Sequence, residues 1–246
     1  MNQSHESDAG PRERSVLIHC RARRMGGVLS SPPSARGVIA FAHGSGSGRH
    51  SPRNQHVARV LQGAGLATLL LDLLEPDEAE DRRKVLDIEL LADRLVTAAL
   101  WLRKEPATRS LPLGYFGAST GAAAALVAAA CRPELPSAVV SRGGRPDLAR
   151  GDLPDVMAPT LLIVGDRDED VLELNRQALA LLRCPRELVV IPGATHLFPE
   201  PGALEEVARL AEQWFLRQLG PASRPLRDPE VLTGNRAPRY DMDDQC

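Results

Sequence analysis

The chain has 246 residues, 43% hydrophobic and 25% charged, a composition that excludes wholesale disorder and fits one large domain or two small ones. Its 30 basic and 32 acidic residues leave a formal charge of −2, so there is no bulk basicity to hold nucleic acid. With two Trp, two Tyr and four Phe, stacking platforms for single-stranded bases are excluded too, and a sugar-stacking cleft is not expected.

The start, MNQSHESDAGPRERS, is polar where a signal peptide would carry an apolar core. Residues 1–14 read as a disordered tail, and 221–246, rich in Pro, Arg and Asp, as a second disordered or loosely packed one. Cys20, Cys131, Cys184 and Cys246 are scattered without metal-ligand spacing, so neither zinc nor a disulfide framework is expected. The longest apolar run, Gly121 to Cys131, is too short for a bilayer, which takes about 20 residues. A reduced, cytoplasmic protein without membrane contact is the expectation.

Between the tails, β-type runs fall at 15–20, 24–29, 37–42, 67–73, 112–117, 137–141, 160–164 and 187–191. The first two have no helix between them and predict an antiparallel edge hairpin. Thereafter helices alternate with strands. Ser51 caps one and Pro52 opens it, with Val57, Val60 and Leu61 on one face. Ile88, Leu91, Leu95, Ala98 and Leu102 keep the helical period, and a last helix runs from Leu204 through Phe215 to a stop at Gly220. Near-continuous apolar strands with crossover helices predict a doubly wound, mostly parallel sheet covered on both faces. No insertion is large enough for a lid, so 15–220 is expected to be one domain.

Ligands of such sheets bind beyond the carboxyl ends of the strands. Gly117-Ala118-Ser119-Thr120-Gly121 lies between a strand and an Ala-rich helix, the context of a G-x-S-x-G nucleophile elbow. Gly165-Asp166-Arg167-Asp168-Glu169-Asp170 follows another strand and supplies acids able to orient a histidine, with Asp166 and Asp168 both open as the acid. Pro192-Gly193-Ala194-Thr195-His196 follows the last strand. The order serine, acid, histidine, each after a strand, is that of an α/β-hydrolase triad. His43-Gly44-Ser45-Gly46-Ser47-Gly48 lacks dinucleotide and P-loop spacing and fits an oxyanion loop, pairing the backbone N–H of Ser45 with that of Thr120. His43 is expected to order this loop, and Arg49-His50 to form a solvated rim. Arg142, after the sixth run, has two open roles: clamping an anionic substrate group, or pairing with an acid of 166–170.

Together FAHGSGSG, GASTG, LLIVGDRDEDV and PGATHLF resemble the α/β-hydrolase superfamily, nearest to its lidless dienelactone hydrolase-like enzymes. The resemblance spans roughly residues 15–219. It implies an eight-stranded α/β-hydrolase sheet with the second strand antiparallel, Ser119 as nucleophile, His196 as base, and Asp168 (by the pattern G-x-x-D) as acid. Dienelactone hydrolases themselves carry cysteine in the elbow, so Ser119 points to a general serine hydrolase acting on small-molecule esters or thioesters. No metal or organic cofactor is implied. A non-catalytic binding protein and an acyltransferase would use the same residues. Similar domains also occur joined to phosphoribosyltransferase domains, and no such second domain is expected here.

Overall fold

The computed structural model describes residues 11–220; the tail residues 1–10 and 221–246 lie outside them. Eight strands form one sheet: β1 (Arg12–Cys20), β2 (Arg23–Ser31), β3 (Val38–Ala42), β4 (Ala67–Leu71), β5 (Leu113–Ala118), β6 (Pro136–Arg142), β7 (Thr160–Gly165) and β8 (Arg186–Ile191). Their spatial order is β1-β2-β4-β3-β5-β6-β7-β8. β1 and β2 are the expected antiparallel hairpin, β2 runs antiparallel to β4, and every other pair is parallel. β1 starts at Arg12, three residues before its apolar run, so residues 12–14, expected in the disordered tail, are strand instead. Its exposed first turn of ladder pairs Arg12 with Ser31, and Arg14 is held by Glu105 at 2.6 Å.

Among the described residues six α-helices lie between strands and a seventh follows β8: α1 (Pro52–Gly63), α2 (Pro76–Ala79), α3 (Arg82–Val85), α4 (Ile88–Lys104), α5 (Thr120–Cys131), α6 (Glu169–Leu181) and, last, α7 (Ala203–Gln218). Side chains alternate across the pleat. Ala40, Leu69, Tyr115, Val139 and Leu162 face α4 and α5, whereas Ile39, Phe41, Phe116, Val140 and Ile163 face α1 and α7. Phe41 and Phe116, paired in register, stack with ring centres 4.9 Å apart. α5 is buried on every side from Thr120 to Ala129, which explains a helix made almost wholly of alanine: larger residues would not fit between the sheet and α4.

Sequence order reverses between β3 and β5, since the chain leaves β3 for β4 on one side and returns to β5 on the other. That switch point opens a crevice at the carboxyl edge. The loop after β3 and the turn after β5 form its two walls.

Candidate active site

Ser119 stands between β5 and α5 with φ 51° and ψ −121°, a conformation costly for any residue with a side chain. Close packing enforces it. A Cβ on Gly117 would meet the Gly121 carbonyl oxygen at 2.7 Å, and one on Gly121 would meet the Ala42 carbonyl carbon at 2.6 Å. The two glycines therefore let α5 start directly against β5 and β3. Ser119 occupies the N-cap position of α5, yet its hydroxyl does not cap the helix. Ser119 is half-buried, and among the described residues its hydroxyl has no hydrogen-bond partner.

Asp168 repeats this arrangement at the start of α6: an N-cap residue whose carboxylate makes no capping bond. Its Oδ2 instead lies 2.6 Å from Nδ1 of His196. A carboxylate only accepts, so Nδ1 carries the proton and Nε2 is left as the free acceptor. Asp166 is used differently. Its Oδ1 accepts from the Gly193 backbone N–H at 2.7 Å, while its own N–H donates to the Ile191 carbonyl. Arg167 N–H donates to the Ala194 carbonyl at 3.0 Å, and Gly165 packs so tightly on Ala194 that a Cβ would overlap that carbonyl group. Asp166 thus laces the acid loop to the histidine loop, and Asp168 reaches the imidazole.

Further residues hold this geometry, of which Glu200 and Asn175 were not singled out in the sequence. Glu200 accepts the Thr195 hydroxyl at 2.7 Å and the Thr195 N–H, bracing the residue before His196, and the hydroxyl bond holds its carboxyl below the usual range. The Ser119 N–H donates to the Arg142 carbonyl at 3.2 Å, and the Ser119 carbonyl accepts from Arg145. Between them Gly143 has φ 49°, and a Cβ there would stand 3.1 Å from the His196 carbonyl oxygen and 3.5 Å from Nδ1. The turn after β6 is therefore wedged between elbow and imidazole. Asn175, buried on α6, holds it by donating to the Gly144 carbonyl at 3.0 Å. A glycine pair after a strand was the one sequence signal for this contact.

His43 orders its loop by two bonds. Nε2 accepts the Leu73 N–H at 3.0 Å, so Nδ1 bears the proton and donates to the Gly44 carbonyl at 3.0 Å. Burial pushes its pKa down, keeping the ring neutral. Leu73 is anchored in turn by the buried Arg94, which donates to its carbonyl at 2.7 Å and forms a forked ion pair with Glu78. That fork holds the Glu78 carboxyl at about 2.

Three expectations need correction. The Ser45 N–H is not free for an oxyanion, because it donates to the Thr120 hydroxyl at 3.0 Å. The first residue of α5 needs no hydroxyl of its own for capping, so its side chain turns across the crevice. Arg49 is not a solvated rim: its backbone N–H and guanidinium both bind Asp72 at the end of β4, and the guanidinium lies over Gly26. Arg142 pairs with none of the acids at 166–170. β6 register directs its side chain to the face of Val140, toward α1, where among the described residues it finds no ion pair or hydrogen bond.

A doubly wound sheet with a strained serine at the elbow, and an acid–imidazole pair at the neighbouring carboxyl ends, defines an α/β-hydrolase fold. Residues 25–220 match the dienelactone hydrolase family, and the chain belongs to it. It is similar to the dienelactone hydrolase of Anabaena variabilis, with 55% identity and a TM-score of 0.84 over 86% of this chain and all of that one. Est1E of Butyrivibrio proteoclasticus shares the fold at 17% identity, with a TM-score of 0.73 over 83% of this chain and 98% of its own. A Mycobacterium tuberculosis protein named "Putative phosphoribosyl transferase" is 57% identical over 87% of this chain. The chain spans about half of that relative, 48% of its length. The family and the fold support a hydrolase. Among the described residues no helix is long and apolar enough to cross a membrane.

Proposed function

We propose that the protein is a serine hydrolase that cleaves carboxylic esters or thioesters of small molecules through an acyl-enzyme on Ser119. The observation that carries this reading is the 2.6 Å Asp168–His196 bond, formed by a carboxylate that leaves its helix uncapped, beside a serine forced to φ 51°.

Asp168 fixes the tautomer with the proton on Nδ1, so Nε2 of His196 can take the Ser119 proton as Oγ attacks the acyl carbon. The N–H of Thr120, an unsatisfied donor in the first turn of α5, stands where the tetrahedral oxyanion develops. Protonated His196 then gives its proton to the leaving alcohol or thiol. Water, deprotonated by the same imidazole, releases the acid. The elbow at the N-terminus of α5 favours each negatively charged state. No step calls for a metal or an organic cofactor.

Hydrolysis of p-nitrophenyl esters of two to eight carbons tests the reading. Wild type is expected to turn over at least the short ones, and Ser119→Ala to lose about 10⁴-fold or more. A variant within tenfold of wild type would overturn the nucleophile.

A further inference from the structure

The guanidinium of Arg142 is an unresolved account in the fold. It is only 7% exposed, its Nη1 is wholly buried without a partner, and no carboxylate among the described residues neutralises it. A second cation acts on it from α1, the helix on its side of the sheet. Arg53, in the first turn of α1, has a buried Nε that is also without a partner, and burial together with the charge of Arg53 pushes the Arg142 pKa down to about 10. An isolated buried charge is costly, and a like charge acting on it adds to the cost. Folds retain such a pair where an anion completes it.

The location matches a substrate rather than a structural ion. Arg142 ends β6, its carbonyl holds the Ser119 N–H, and the next residue is wedged against His196. Arg53 lies beyond the oxyanion loop, in the first turn of a twelve-residue helix whose dipole adds positive potential at that end.

Resting on the serine-hydrolase reading above, we propose that Arg53 and Arg142 form an anion subsite for a phosphate monoester group carried by the substrate. Two guanidiniums supply two positive charges and forked donors. A phosphate carries about −1.5 to −2 charges near neutral pH and three acceptor oxygens, whereas a carboxylate would leave one cation uncompensated.

The test uses p-nitrophenyl esters of matched length ending in a phosphate monoester, a carboxylate or a hydroxyl. For wild type, kcat/KM for the phosphate ester is expected to exceed that for the hydroxyl ester by about 10- to 100-fold, the scale of one or two charged hydrogen bonds. Arg53→Gln and Arg142→Met should each shrink that ratio toward one. Inorganic phosphate should compete with the hydroxyl ester in wild type, an arm that needs no folded variant. A ratio near one with active enzyme, or a preference for the carboxylate ester, would overturn the proposal. Phosphate binding without any ester preference would assign the site to a free anion and overturn it as a substrate subsite. Calorimetric titration of Ser119→Ala with inorganic phosphate separates the two readings. Binding there with no ester turned over by wild type would sink the hydrolase and leave the anion site standing, and absence of binding would sink the site alone.

Discussion

Exchanging Asp168 for Asn should cripple the protein, whereas the same exchange at Asp166 should hardly matter. Both residues lie in one turn, two positions apart, and each accepts one short hydrogen bond. At Asp168 the donor is the Nδ1–H of His196 at 2.6 Å. An Asn amide nitrogen there would donate instead, move the imidazole proton to Nε2, and remove the acceptor that Ser119 needs. In a protease triad this costs about 10⁴ in kcat, or about 5.5 kcal/mol of barrier. At Asp166 the donor is the Gly193 backbone N–H, 2.7 Å away, and an Asn oxygen still accepts it. Losing charge assistance costs about 1 kcal/mol, roughly a fivefold effect. Steady-state hydrolysis of a short p-nitrophenyl ester by both variants, with melting curves to establish folding, should separate them by about 10³-fold or more. Equal losses, or a crippled Asp166→Asn beside an active Asp168→Asn, would refute the assignment of roles.

Ser119→Gly should remove activity and raise the melting temperature by a few degrees, because glycine adopts φ 51° without the side-chain strain; an unchanged or lower value would deny that strain is stored at the elbow. Acid should destabilise the fold through Glu78, whose carboxyl is held at about 2 against an ordinary 4.5. Its contribution is complete above pH 4.5 and is lost as the pH falls toward 2, because the unfolded chain takes up the proton first. The shift corresponds to roughly 3 kcal/mol. Glu78→Gln should therefore melt lower at pH 7 and flatten the decline between pH 4.5 and 2, and an unaltered slope would contradict the linkage. Buried neutral His43 acts in the same direction at higher pH, since only the unfolded chain protonates it readily.

The sheet was legible because its central strands are apolar on both faces and bounded by turn residues, and the cap of α1 was written as Ser51-Pro52. α2 and α3 were not. Each has four residues, too few for a period, and they are held by tertiary ion pairs such as Glu78–Arg94. Spacing alone left Asp166 and Asp168 both open. What separates them is the backbone of the histidine loop, whose Gly193 N–H captures one while the imidazole meets the other. Arg142 shows the same limit in another form. The sequence left it open between clamping an anionic substrate group and pairing with an acid of 166–170, and only the register of β6 beneath α1 reveals it as buried and without an acid partner. Likewise the motif could place Ser45 near Thr120, but not foresee that the Thr120 hydroxyl would take its N–H.

Covalent labelling with a fluorophosphonate probe, read by peptide mass spectrometry, tests the central claim most directly. An activated serine attacks phosphorus, expels fluoride and keeps the phosphonyl group, so the account predicts one label per chain, on Ser119. Asp168→Asn and His196→Ala should slow it severely, and heat-denatured protein should take up none. Folded wild-type protein that stays unlabelled, or carries its label on another residue, would contradict the account.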